Sequence, residues 1–229
     1  MKNIFIVIFA LFLIACSNED KTILLPHVET SVINEIKDVS PVFIFFNPKK
    51  KDSVELNRKN LISTTNWLFN IDKRHQLQKI IPSINELQEK RKDAKLHKNE
   101  KARNYFSCND LEKQTLGFID FTEVEFAFND RNTYIKELIN RDDKVENVVM
   151  EFKPQGEINI YLPSNHKLRY KQELSKILEA EVFKNETPDT IYLAFDGLMN
   201  FQEFITYQRQ IEKLAENNIA IAPKEFILY

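Results

Sequence analysis

From Val145 to Tyr229 the hydrophobic residues change period four times, and this constrains the fold more than any other feature of the chain. Val148-Val149-Met150-Glu151-Phe152 reads as a strand. Pro154-Gln155-Gly156 makes a turn, and Ile158, Ile160 and Leu162 then alternate. Two such runs about a short turn read as a hairpin. Tyr170, Leu174, Ile177, Leu178 and Val182 follow at helical spacing. Thr190 to Phe195 alternates again, with Ile191, Leu193 and Phe195 on one face. Phe201, Phe204, Ile205, Ile211 and Leu214 form a second helical stripe. Ile219 to Ala222 and Phe226 to Leu228 supply terminal strand material around Pro223. The order ββαβαβ is an α+β layer of two helices on one sheet.

The preceding region, 41–144, predicts a smaller αβ unit. Val42 to Phe46 reads as a buried strand, Asn47 to Ser53 as a charged turn and Val54 to Leu56 as a returning strand. Trp67 to Ile71 is another strand. Leu77, Ile80, Ile81, Ile84 and Leu87 mark a helix, in which Pro82 is either a kink or the first turn of a second helix. Phe118 to Phe128 reads as one long strand, with a bulge or twist where its apolar phase changes between Phe121 and Val124. Asn132 to Asn140 is a short helix. Leu68 to Asp72, Leu77-Gln78 and Ile80-Ile81 echo Tyr192 to Asp196, Phe201-Gln202 and Phe204-Ile205 at the same relative spacing. Duplication of a strand–Asp–turn–helix unit and chance similarity of two amphipathic units both account for the echo.

The start of the chain bears on location. Lys2 is followed by twelve apolar residues, Ile4 to Ala15, then by Cys16 and the polar Ser17-Asn18-Glu19-Asp20. Twelve residues are too few for a permanent transmembrane helix, which needs roughly 20. The run fits a signal-peptide core that ends at a small-residue cleavage site. Leu13-Ile14-Ala15-Cys16 resembles the lipobox of bacterial lipoproteins. That resemblance implies removal of residues 1–15, a diacylglycerol thioether on Cys16 and acylation of its amino group. Residues 16–40 are then expected to be a tether. Ser17 is not the acid that retains many lipoproteins at the inner membrane, so the resemblance points to the outer membrane. Glu19-Asp20 also resembles the acidic tract of surface-exposed lipoproteins.

Residues 145–229 resemble the periplasmic domain of the ExbD/TolR family. The likeness rests on Phe152 to Ile160, Leu174 to Leu178, Ile191 to Asp196, the helix from Phe201 to Asn217 and the strand Ile219 to Ala222. It implies a module that binds partner peptides or dimerises through sheet edges. Family members also carry a transmembrane helix with an essential Asp. Ile4 to Ala15 contains no acid, so proton coupling is not expected to transfer.

Chemistry is narrowed mainly by exclusion. Formal net charge is -2, and nucleic acid is the wrong partner for a lipoprotein outside the cytosol. Gly117, Gly156 and Gly197 are the three glycines, and they do not cluster as phosphate-cradling loops require. His27, His75, His97 and His166 lack zinc-ligand spacing, so no metal or cofactor is expected. With Cys16 lipidated, Cys108 has no internal disulfide partner, and reads as a small buried hydrophobe before a nucleophile. Asp72 and Asp196 each end a strand before a helix, where Asp accepts backbone N–H bonds. Asp120, Glu123 and Glu125 read as a solvated strand face. Lys90 to Arg103 holds seven Lys/Arg against two acids; a solvated helix end is the plainer explanation, anionic lipid the functional one. The expectation is a non-catalytic, lipid-anchored envelope protein that binds another envelope protein or a second copy, accessory to energy-coupled transport if the family resemblance holds. The competing reading is an envelope hydrolase with a dispersed site. Dimerisation or partner binding is expected at the terminal strand near Lys224, with Tyr229 leaving that edge uncovered.

Overall fold

The computed structural model describes residues 21–93, 99–139, 147–162, 167–170, 174, 190–215 and 220–229. The expected lipid-modified Cys16 and most of the helix expected between Tyr170 and Val182 lie outside these residues. Among the described residues the chain is α+β, with two six-stranded sheets.

The first sheet contains β1 (His27–Val28), β2 (Val39–Phe46), β3 (Val54–Asn57), β4 (Asn66–Ile71), β5 (Asn104–Asp110) and β6 (Thr115–Asp120). Its order is β3-β2-β4-β5-β6, and β1 also lies beside β5. β2, β4 and β5 run parallel, while β3 and β6 are antiparallel hairpin partners. The helix α1 (Leu77–Lys92) connects β4 to β5. Pro82 lies within this single helix, on its exposed side.

The second sheet contains β7 (Glu125–Asn129), β8 (Asn147–Phe152), β9 (Ile158–Tyr161), β10 (Lys167–Tyr170), β11 (Thr190–Asp196) and β12 (Ile221–Leu228). Its order is β10-β9-β8-β11-β12-β7. The helix α2 (Arg131–Ile139) follows β7, and α3 (Phe201–Ala215) connects β11 to β12.

Four sequence expectations need correction. Phe118 to Phe128 is two strands in different sheets, not one strand with a bulge. The change of phase there is the chain crossing from one sheet to the other. β7 consequently pairs with β12, so the boundary expected at residue 144 does not follow the strand pairing. Tyr170 ends β10 rather than starting a helix. Residues 21–40 are not a free tether. The Leu24 N–H donates to Asp72, Val28 and Ser31 are buried, and the Asn109 N–H donates to the Pro26 carbonyl.

The two sheets repeat one plan. β2, β3, β4, α1 and β5 correspond to β8, β9, β11, α3 and β12, with the same neighbours and the same relative directions. The hairpin turns also match: each is a short 3-10 segment with a left-handed residue, Asp52 (φ 57°) or Gln155 (φ 65°).

The repeats meet at a local two-fold axis. Gln76 and Asn200, the residues just before α1 and α3, form an antiparallel bridge. The Leu77 N–H donates to the Met199 carbonyl, and the equivalent Phe201 N–H to the His75 carbonyl. The Gln78 N–H donates to Gly197, and the equivalent Gln202 N–H to Lys73. A helix start leaves its first N–H groups without intrahelical acceptors. Here each half supplies those acceptors to the other. The helices share one core bounded by both sheets. Phe106 of the first sheet touches Phe201 and Phe204 of α3, and Phe204 touches Phe195 of the second sheet.

Candidate functional site

Two places gather polar groups, and a third is an apolar strip. The first lies on the outer face of the second sheet, which α2 covers. Tyr134 of α2 packs there with Val149, Ala194 and Leu228. Beside this small core Arg131, at the start of α2, stands between two carboxylates. Its Nε is 2.9 Å from Glu151 Oε1, and its Nη2 donates to Asp196 Oδ2. The other Glu151 oxygen accepts from Asn159 Nδ2 at 2.7 Å and from the Tyr161 hydroxyl at 2.9 Å. Burial lowers the Arg131 pKa, but the Asp196 hydrogen bond and the Glu151 and Asp196 charges outweigh it and hold the guanidinium above its ordinary value. Burial, then the Glu151 charge, push the Tyr161 phenol up. The cluster holds α2 on the sheet.

Asp196 also accepts the Leu198 N–H at 2.9 Å. Its repeat counterpart Asp72 accepts the Arg74 N–H at 3.1 Å and both sides of the Arg74 guanidinium fork. Both acids therefore start a turn and bind one arginine, as the plain reading of a post-strand Asp requires.

The second place is a cleft of about 190 Å³ lined by residues including Gln88, Arg91, Asn104, Thr122 and Glu123. Arg91 stacks on Trp67, 4.2 Å from the ring centre, and donates to the Thr65 and Arg103 carbonyls and to Asn104 Oδ1. Burial pulls its pKa to about 10. Its neighbours in the basic stretch are ion-paired: Lys90 with Glu86, Lys92 with Glu125, and Arg103 with Asp120. Asp120 and Glu125 therefore sit in different sheets, each with its own cation, rather than along one strand.

The other sequence candidates are structural. Cys108 is fully buried, and burial pushes its thiol up to about 12, far from a nucleophilic thiolate. His75 is buried, with its ring 5.5 Å from that of Phe46. Burial holds its pKa down, so the imidazole is neutral. His27 is in β1, while His97 and His166 lie outside the described residues. No group of His, Cys, Asp and Glu among the described residues is arranged to hold a metal. None of the described helices is long and apolar enough to cross a membrane.

The terminal strand is not the uncovered edge expected from the sequence. β12 lies between β11 and β7, with Lys224 opposite Glu125. The outermost strands are β3 and β6 in the first sheet, and β10 and β7 in the second. α1 closes part of the β7 edge, since Asn85 and Gln88 donate to the Phe126 and Val124 carbonyls.

The third place was not legible in the sequence. It is the outer face of the first sheet, where Val39, Pro41, Phe43 and Phe45 of β2 stand beside Leu68 of β4. Phe43 and Phe45 stack at 5.7 Å, and Phe43, Phe45 and Leu68 belong to neither core. α1 and α3 pack into the inner core and α2 against the second sheet; on this face Pro41, Phe43, Phe45 and Leu68 are half-buried, and the neighbouring Tyr105, Ser107 and Phe118 are buried. Its only sequence signal was the unbroken apolar run of β2. Such a run places apolar residues on both faces of a strand and does not say what packs on either. No family model, curated protein or solved structure matches this chain.

Proposed function

We propose that this chain is a non-catalytic binding protein of the bacterial envelope, held to a membrane by acyl chains on Cys16. The observation that carries the reading is how the reactive groups are used. Asp72, Asp196, Glu151, Arg131 and Cys108 are all engaged in packing, turns or ion pairs that hold the fold. A hydrolase would need an accessible nucleophile with a base in reach, and the buried Cys108 thiol is a poor one. The lipobox-like segment supplies the anchor, and two acyl signals suffice for stable attachment.

The partner is an envelope protein or a second copy. Support for binding moves from the terminal strand to β3 (Val54–Asn57), which ends the first sheet among the described residues; an end strand is where an added strand would pair. The family resemblance, with its accessory role in energy-coupled transport, is part of this proposal. Metabolic labelling with a palmitate analogue tests the anchor. Label on the wild type that is lost in Cys16→Ala is the expected result, and label surviving that substitution contradicts it. Photo-crosslinking from Asn57 in intact cells tests the edge. Reproducible capture of one envelope protein or of a second copy supports it, and no capture there or at Lys59 counts against it.

A further inference from the structure

We infer that the cleft at the end of α1 binds a small zwitterion, an amino acid or a short peptide with free ends, with its carboxylate toward Arg91 and its ammonium toward Glu100 and Glu123. The inference goes beyond the protein partner proposed above and depends neither on the anchor nor on the β3 edge.

Three observations lead there. The first is a count of charges. The Arg91 guanidinium donates to neutral acceptors alone, the Thr65 and Arg103 carbonyls and Asn104 Oδ1. Among the described residues no carboxylate pairs with it, and its Nε–H has no acceptor. The other cations of this stretch each hold an acid: Lys90 with Glu86, Lys92 with Glu125 and Arg103 with Asp120. A cation half-removed from water and lacking a counter-charge is costly. Burial alone acts on the Arg91 pKa, in line with that isolation. A ligand carboxylate relieves the cost with charge-assisted hydrogen bonds.

The second is the cleft itself, of about 190 Å³. Its walls include Gln88 and Asn104, both buried. They are fixed in place: Gln88 Nε2 donates to the Val124 carbonyl at 3.1 Å, and the Asn104 N–H donates to Thr122 Oγ1 at 2.8 Å. A polar wall already ordered without ligand lowers the cost of binding one. Glu100 and Glu123 line the same cleft, are exposed, and form no ion pair among the described residues. They repel a phosphate or sulfate dianion. A ligand with both a carboxylate and an ammonium matches the two signs of charge.

The third comes from the repeat. The α3 position equivalent to Arg91 is Ala215, and the β11 position equivalent to Trp67 is Ile191. The second half therefore forms the same plan without an arginine stacked on a tryptophan. The Arg91–Trp67 pair is an addition to the first half and not a requirement of the plan.

The test titrates the full chain with alanyl-alanine, and with its N-acetylated and C-amidated forms, which keep the carboxylate alone and the ammonium alone. Calorimetry reads binding, together with fluorescence of Trp67, the one tryptophan of the chain, which lies 4.2 Å from Arg91. The expected result is saturable binding of alanyl-alanine, with each blocked form bound about tenfold more weakly for loss of one charge-assisted pair. Free alanine, titrated in parallel, separates the two sources: tighter binding of alanine assigns the site to amino acids, and tighter binding of alanyl-alanine to peptide ends. Glu100→Gln and Glu123→Gln, at exposed positions, should each weaken alanyl-alanine about threefold without weakening the acetylated form. Arg91→Lys keeps the charge and loses the planar fork, so it should weaken alanyl-alanine and the acetylated form alike. Absence of saturable binding of both zwitterions by both readouts overturns the inference. Equal affinity for the free and blocked forms, tighter binding of inorganic phosphate, or unchanged affinity in both glutamate variants also overturns it.

Discussion

Glu225 sits on the inner face of β12, opposite Leu193 and Phe126, and among the described residues the Gln208 amide donates to its two oxygens. The equivalent position in the first repeat is Phe106, the centre of the aromatic core. Burial pushes the Glu225 carboxyl up to about 7. The native state therefore holds a proton that the unfolded chain, with a carboxyl near 4.3, has released. Stability should fall as pH rises through that window, then level off above about 7. Glu225→Gln keeps an uncharged amide there. It should raise stability at pH 8 by a few kcal/mol, with no gain at pH 4, in denaturant titrations at the two pH values. Asp110 acts in the opposite direction. The Lys113 N–H, followed by the Ser31 hydroxyl and N–H, outweighs burial and holds its carboxyl far below the usual range. Its contribution is present at neutral pH and is lost on acidification below about 4. Asp110→Asn should flatten that acid limb. Gly117 explains why one of three glycines lies inside a strand. A Cβ there would stand 2.4 Å from Ser31 Oγ and 2.5 Å from Ser31 Cβ. Gly117→Ala should cost about 1–3 kcal/mol by overpacking, measured as a shift in the urea midpoint. Short-range residue roles of this kind were partly legible: Asp72 and Asp196 do start turns. Glu225 was not legible, because alternation within eight residues interrupted by Pro223 does not reveal which face is buried.

At the scale of elements, local pattern located most strands and helices, since period and turn chemistry are encoded nearby. It failed where partners are distant in sequence. Phe118 to Phe128 was apolar enough for one strand, and only pairing across the molecule divides it between two sheets. β12 failed in the same way. Its position in the chain suggested an edge, and β7 from the other half covers it. The role of α2 follows from Arg131. Its partner Glu151 is almost wholly buried, while the Arg131 side chain is 33% exposed. Arg131→Ala should leave Glu151 uncompensated at a cost of about 2 kcal/mol, less than for a fully enclosed pair because solvent screens part of the charge. Thermal unfolding of the variant gives the size. α3 has a local cap as well, since Asn200 and Glu203 exchange side chain–backbone bonds. Asn200→Ala should cost about 1 kcal/mol.

For the whole molecule, the repeat is the central feature. The echo of Leu68–Ile81 in Tyr192–Ile205 was visible in the sequence, but its meaning lay in pairing between segments far apart along the chain. In the fold those segments meet at Gln76 and Asn200, and each half supplies the carbonyls that satisfy the other's helix start. Neither half then has a complete helix or a closed core alone, because Phe106, Phe204 and Phe195 form one continuous contact chain. Native-state hydrogen exchange at the Leu77, Gln78, Phe201 and Gln202 amides tests this most directly. All four should exchange only through global unfolding, with one common free energy shared by core amides of both sheets. Rapid exchange of these four amides, or separate unfolding free energies for the two sheets, would contradict it.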